Sequence, residues 1–266
     1  MIRAILFLFF FSILSPIYCI AQENLSKHFT KQGIKGSFTL YDYKNSRWIC
    51  SDTEDSMKET VPASTFKIIN LLIALETGVI KDEHDIVKWV GTIDTTIYGY
   101  RPNTYKDMTV KEAFEVSAGW VFMELSKKIG RDRYLDYLKR CGYGNGKVSD
   151  EADFWNFGPL FISPRNQIEF LIKVHEGRTP FSQRNIDILK SVMTKTSNSE
   201  YTLRGKTGWG WYQAIDAGWW VGYVEKADNS YFFATRLTKA REDKNTDFQS
   251  ARVQITDDIL HELGIL

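Results

Sequence analysis

Histidine, cysteine and any surplus of one charge sign are scarce in this sequence. The four histidines, His28, His84, His175 and His261, are scattered without ligand spacing. There is no HExxH and no CxxC, so no metal site is legible. Cys19, Cys50 and Cys141 are too few for a disulfide-stapled scaffold. Sequence leaves open whether Cys50 and Cys141 pair or stay reduced. A formal net charge of +1 with no basic stripe removes nucleic acid as a partner. No GxSxG occurs. The GKT at Gly205–Thr207 lacks the earlier glycine of a phosphate loop, because Glu200 stands there.

Beyond the N-terminus, no apolar run is long enough to span a bilayer. The N-terminus itself has Arg3, then about a dozen apolar residues, a break at Pro16, and Cys19-Ile20-Ala21. This reads as an export signal over residues 1–21, cut after Ala21. The run is shorter than the roughly 20 residues of a membrane anchor. Tyr18 is bulky for a lipid-attachment site at Cys19. The expectation is a periplasmic chain, residues 22–266, without stable membrane insertion after cleavage.

What the sequence does have is core. Its 266 residues are 43% hydrophobic and 14% aromatic, far too apolar for disorder. Lys35–Cys50 reads as a β-hairpin, and Tyr201–Trp209 and Ala217–Leu237 as three further strands. Between them lie helices: Pro62 to Gly78, Thr109 to Gly130 as one segment, the stretch DRYLDYLKRC, and a helix capped by Ser163 with Pro164 in its first turn. A closing helix covers about Gln249 to Leu263. Strands at both ends with helices between predict an α+β fold. One antiparallel sheet is built from both termini and flanked by helices, with a helical subdomain inserted at about 81–198.

Chemistry concentrates in three short motifs: Ser64-Thr65-Phe66-Lys67, Ser117-Ala118-Gly119 and Lys206-Thr207-Gly208. Residues i and i+3 share a helix face, so the Lys67 amine can reach the Ser64 hydroxyl. Ser64 at a helix start meets free N–H groups that favour developing negative charge. Phe66, Ile68, Ile69, Leu71, Leu72, Ile73 and Leu75 leave almost no polar face, which predicts a helix buried all round. Burial lowers a lysine's pKa, and a neutral amine can act as a base or add CO2 to become a carbamate. The plainer reading is a serine N-cap with Lys67 reaching out to solvent.

In this order, STFK, SAG, Tyr143-Gly144-Asn145 and KTG resemble the penicillin-recognising serine enzymes. Phe154-Trp155, GWWVGYVE and YFFA narrow the resemblance to the class D, oxacillinase-type β-lactamases, from about Phe38 to the C-terminus. The resemblance implies an exported enzyme that opens the β-lactam amide of penicillins through a Ser64 acyl-enzyme, giving antibiotic resistance. Lys67, as N6-carboxylysine, would be general base; Ser117 would relay a proton to the lactam nitrogen; Lys206 would supply positive charge there. Thr207 and Arg252 would bind the substrate carboxylate. The backbone N–H groups of Ser64 and Trp209 would form the oxyanion hole. Trp155 would pack on and hydrogen-bond the modified lysine, with Tyr143 and Asn145 in support. No metal or cofactor is implied beyond CO2 or bicarbonate for Lys67, and the partners are small β-lactams, for a monomer or homodimer. The alternative is a β-lactam-sensing or D,D-peptidase-like domain without turnover. One position departs from the family: Gly119 replaces a branched apolar residue and removes a wall beside Lys67, leaving Trp120 or Phe122 to refill it.

Overall fold

The computed structural model describes residues 20–21 and 23–266. The signal expected at 1–21 therefore falls, but for its last two residues, outside the described residues, as does Cys19. The strands are β1 (Ile20–Ala21), β2 (Lys35–Asp42), β3 (Arg47–Cys50), β4 (Ile86–Val87), β5 (Met108–Thr109), β6 (Thr194–Ser197), β7 (Tyr201–Tyr212), β8 (Ile215–Lys226) and β9 (Ser230–Ala240). The helices are α1 (Ser26–Lys31), α2 (Thr53–Met57), α3 (Lys67–Glu76), α4 (Thr95–Tyr98), α5 (Val110–Glu115), α6 (Gly119–Ile129), α7 (Arg131–Cys141), α8 (Pro164–His175), α9 (Gln183–Met193) and α10 (Phe248–Glu262).

One sheet runs in the order β1-β3-β2-β9-β8-β7-β6, antiparallel except for β1 beside β3; β4 and β5 pair separately. The N-terminal hairpin thus docks against the C-terminal strands, as the sequence predicts. In β8, Trp219, Val221 and Tyr223 face the cluster that holds α3, α6 and α8. The alternating Trp220 and Val224 face the cluster of α1 and α10. Side chains alternate across a strand, so burial of both faces explains why β8 reads as a continuous apolar run.

Two local features are built by the predicted chemistry. The Ser163 hydroxyl accepts from Asn166 N at 3.1 Å, with Pro164 opening α8. The helix carrying Lys67 begins as a 3₁₀ turn, Ala63–Phe66, and becomes α-helical at Lys67; Lys67 through Leu75 are all buried.

One expectation is corrected, and one question that the sequence leaves open is answered. The segment Thr109–Gly130 is not one helix: α5 stops at Glu115, α6 starts at Gly119, and Ser117 between them has φ +59°. Serine bonds local backbone in non-helical conformations and glycine is a poor helix former, so a Ser-Ala-Gly run is a weak point. Cys141 is a free, buried thiol, so it does not pair with Cys50. No helix among the described residues is long and apolar enough to cross a membrane.

Candidate active site

The Ser64 turn is pinned from several sides. Ala63, at φ +50°, donates its N–H to Trp155 O at 3.0 Å, and the Trp219 indole donates to Val61 O at 2.9 Å. The Thr65 hydroxyl donates to Pro62 O at 2.7 Å and accepts from Gln167 Nε2 at 2.6 Å. A left-handed non-glycine residue persists only where its surroundings hold it, which these bonds do here. Lys67 Nζ then lies 2.8 Å from Ser64 Oγ and 5.2 Å from the centre of the Phe122 ring. Lys67 is 1% exposed, so it does not reach out to solvent. Burial, and secondarily the positive charge of Arg101, brings its pKa down to about 7.

Ser117 faces this pair from the break between α5 and α6. Its hydroxyl accepts from Lys206 Nζ at 3.0 Å, and the same ammonium donates to Thr207 O at 3.0 Å. Lys206 is 2% exposed, not a solvated strand-edge lysine. Burial pushes its pKa well below the usual lysine value, and the charge of Lys67 adds to this. Two buried lysines side by side disfavour each other's charged form.

Strand β7 reaches the Ser64 turn because two of its glycines lack side chains. A Cβ on Gly208 would lie 3.1 Å from Pro62 O, and one on Gly210 would lie 2.9 Å from Ala63 Cβ. Thr207 and the exposed Trp209 line the resulting cleft beside Ser64, Lys67 and Ser117. Arg252 closes the floor from α10: it is buried, and its Nη1 donates to Gly208 O at 2.7 Å. Its Nε is buried without a partner, and desolvation lowers its pKa to about 10. The cleft holds about 660 Å³, enough for a drug-sized ligand. Tyr100, Tyr105, Trp209 and Trp211 also line it, Tyr100 and Trp209 being exposed.

Trp155 is 1% exposed and stacked on Phe66 at 4.8 Å, and its indole N–H has no partner. The loop that carries it is held by Asn145, which donates to Pro159 O at 3.0 Å and accepts from Phe161 N at 3.2 Å. Tyr143 is buried and donates to Gln167, which in turn holds Thr65. Ser64, Lys67, Ser117, Thr207, Trp209 and Arg252 line this cleft, and Lys206, Trp155, Tyr143 and Asn145 brace the elements that form it. Among the described residues no group of His, Cys, Asp and Glu could hold a metal ion.

The penicillin-binding protein transpeptidase domain matches residues 28–261. β-Lactamase OXA-10 of Pseudomonas aeruginosa is 37% identical over 84% of each chain. A solved class D β-lactamase from Sebaldella termitidis is 44% identical, with a TM-score of 0.86, covering 92% of this chain and 98% of its own. The chain belongs to the class D β-lactamases. It is a serine hydrolase of β-lactams, built on the antiparallel sheet and flanking helices of that family. The regulatory protein BlaR1 of Bacillus licheniformis is also similar, 34% identical over 82% of this chain but only 36% of its own length.

The class D enzyme's departure at Gly119 is answered by the structure. A Cβ at Gly119 would meet nothing within 4 Å, so that wall is open. Phe122, one turn on, covers Lys67 instead. Trp120 turns away, donating from its indole to Thr104 O at 2.7 Å. Sequence reasoning missed Gln167 and Arg101. Gln167 carries a signal, a polar residue at a buried position of α8; Arg101, on an irregular loop, carries none.

Proposed function

We propose that this class D enzyme hydrolyses penicillins and related β-lactams through an ester on Ser64, with Lys67 as the base. The observation that carries the reading is the 2.8 Å contact between Ser64 Oγ and the amine of Lys67, whose pKa is about 7. A base is most effective when its pKa lies near the working pH. Neutral Lys67 takes the Ser64 proton as Oγ bonds the lactam carbonyl carbon. The C–N bond then breaks, and the amine nitrogen receives a proton through Ser117, held on Lys206. The N–H groups of Ser64 and Trp209 stabilise the oxyanion. Thr207 and Arg252 take the substrate carboxylate, with the unpartnered Arg252 Nε as a ready donor. Water, deprotonated on the Lys67 side, then cleaves the ester.

The surroundings of Lys67 also fit N-carboxylation. The amine is buried and can be neutral near pH 7, and the orphan Trp155 N–H is a donor for added oxygen atoms. CO2 on that amine supplies a carboxylate-type base. Phe122 covers the amine, and Tyr143 and Asn145 hold the elements that place Trp155 and Thr65. We further propose that the apolar N-terminal segment directs export to the periplasm; because Ile20–Ala21 pair with Ile49–Cys50 in the sheet, a cut after Ala21 would take that strand from the folded unit.

The similarity to BlaR1 supports a second reading, a domain that acylates without turnover. Steady-state hydrolysis of a chromogenic cephalosporin separates the two. Sustained turnover is expected; a burst of one equivalent with none afterwards would establish the sensor reading.

A further inference from the structure

Two cations that line the cleft take no part in the chemistry above: Arg241, which pairs with Asp216, and Arg101. Arg101 lies on the loop between α4 and β5, and its hydrogen bonds go to backbone carbonyls rather than a carboxylate. Nη1 donates to Ser117 O at 3.1 Å and Nη2 to Val116 O at 2.5 Å. These carbonyls follow the last residue of α5, where a helix end leaves acceptors unmet and a cation is favoured. Ser117 sits between that end and α6 at φ +59°, a region that L residues other than Asn and Asp seldom enter. Its hydroxyl must nevertheless point at Lys206.

The loop is braced so that the guanidinium arrives in a fixed place. Arg101 N donates to the Tyr105 hydroxyl at 2.8 Å, and Thr104 donates from N and Oγ1 to Arg101 O at 2.9 and 2.8 Å. Thr104 O is held by the Trp120 indole of α6 at 2.7 Å. Trp89 stacks on Tyr105 at 5.1 Å and meets Trp120 edge-on at 4.9 Å. Trp120, which does not refill the gap left by Gly119, thus anchors the arm that returns Arg101 to Ser117. The clamp and the serine it holds hang from the same helix.

We propose that Arg101 is a positioning residue for acyl transfer. Its two-pronged grip on the Val116 and Ser117 carbonyls holds Ser117 in its left-handed conformation. The Ser117 hydroxyl thereby stays on Lys206, on the path of the proton to the departing amine. This rests on the acyl-transfer reading above. It places the effect on ester formation, where that proton moves, and not on hydrolysis of the ester.

The test is the rate of covalent labelling by a fluorescent penicillin, with ester hydrolysis followed separately, in wild type, Arg101→Ala, Ser117→Ala and the double variant. Arg101→Ala should slow labelling by about tenfold, a part of the roughly 10²–10⁴-fold that positioned proton transfer contributes. Ester hydrolysis, followed at about pH 9 so that loss of the Arg101 charge leaves Lys67 neutral, should stay within about twofold of wild type, a split between the two steps that a purely structural cap would not produce. In the Ser117→Ala background, Arg101→Ala should cost no further labelling rate, because both act through one group. Arg101→Gln, which loses the fork but keeps polar bulk, gives the same readout if the alanine variant folds poorly. Unchanged labelling, or effects that multiply in the double variant, would overturn the proposal while leaving the acyl-transfer reading intact. A wild-type protein that is never labelled would overturn both.

Discussion

Lys67 is buried in an apolar shell, and that shell decides what the residue can do. Desolvation disfavours the ammonium and brings the pKa down from 10.5 to about 7, with Arg101 adding to the shift. Activity that needs neutral Lys67 is lost as pH falls through about 7, so kcat/KM should show an acid limb there. Lys67→Ala should lower kcat/KM by roughly 10³-fold, within the range for loss of a general base. The same depression acts on stability with a defined sign. Between the folded pKa of about 7 and the unfolded value of 10.5, the unfolded chain binds more protons. Stability contributed by this site therefore rises with pH across that window. Lys206 acts in the same sense, so the diagnostic quantity is the difference between wild type and Lys67→Met in urea unfolding. The variant should gain stability most at the acid end and least at the alkaline end. An equal gain throughout would separate the pKa shift from burial.

At the scale of elements, the site exists because β7 lies against the Ser64 turn and because α5 and α6 are not one helix. Gly208→Val would drive a branched side chain into Pro62 O and Thr65, and should cut the labelling rate by more than about 100-fold through misplacement of the turn. A Cβ at position 119 meets no atom within 4 Å, and Gly119→Val should change Tm by no more than about 2 °C. By rebuilding a wall beside Lys67 it should also lower the bicarbonate concentration needed for full activity; an unchanged requirement would show that Phe122 already does this. The elements were unequally legible in the sequence. Alternation exposed the hairpin and β7 to β9, caps exposed α8, and the apolar run exposed α3. The break at Ser117 was hidden, because the left-handed turn is held by Arg101 from a loop remote in sequence. Local propensity weakens a helix there but does not specify which backbone conformation replaces it. The candidate chemistry, by contrast, was readable residue by residue, since Ser64, Lys67, Ser117 and Lys206 lie in short ordered motifs.

At the scale of the whole molecule, the cleft draws on residues spread from Ser64 to Arg252, so no part of the chain holds it alone. The sheet that gathers them is tied to α2 and its C-terminal end by Arg236. It is 2% exposed, pairs with Asp55, donates to Lys58 O at 2.6 Å and lies against the Trp219 ring. Arg236→Ala leaves a partly buried carboxylate and carbonyls without partners and should cost about 3 kcal/mol in denaturant unfolding. The most direct test of the account compares hydrolysis of a chromogenic cephalosporin by wild type and Lys67→Ala. Both are assayed below pH 7, first without bicarbonate and then with it. The account predicts that wild type loses turnover and recovers it with bicarbonate, while Lys67→Ala stays inactive in both. A Lys67→Ala variant working at full rate, or wild type that bicarbonate fails to restore, would contradict it.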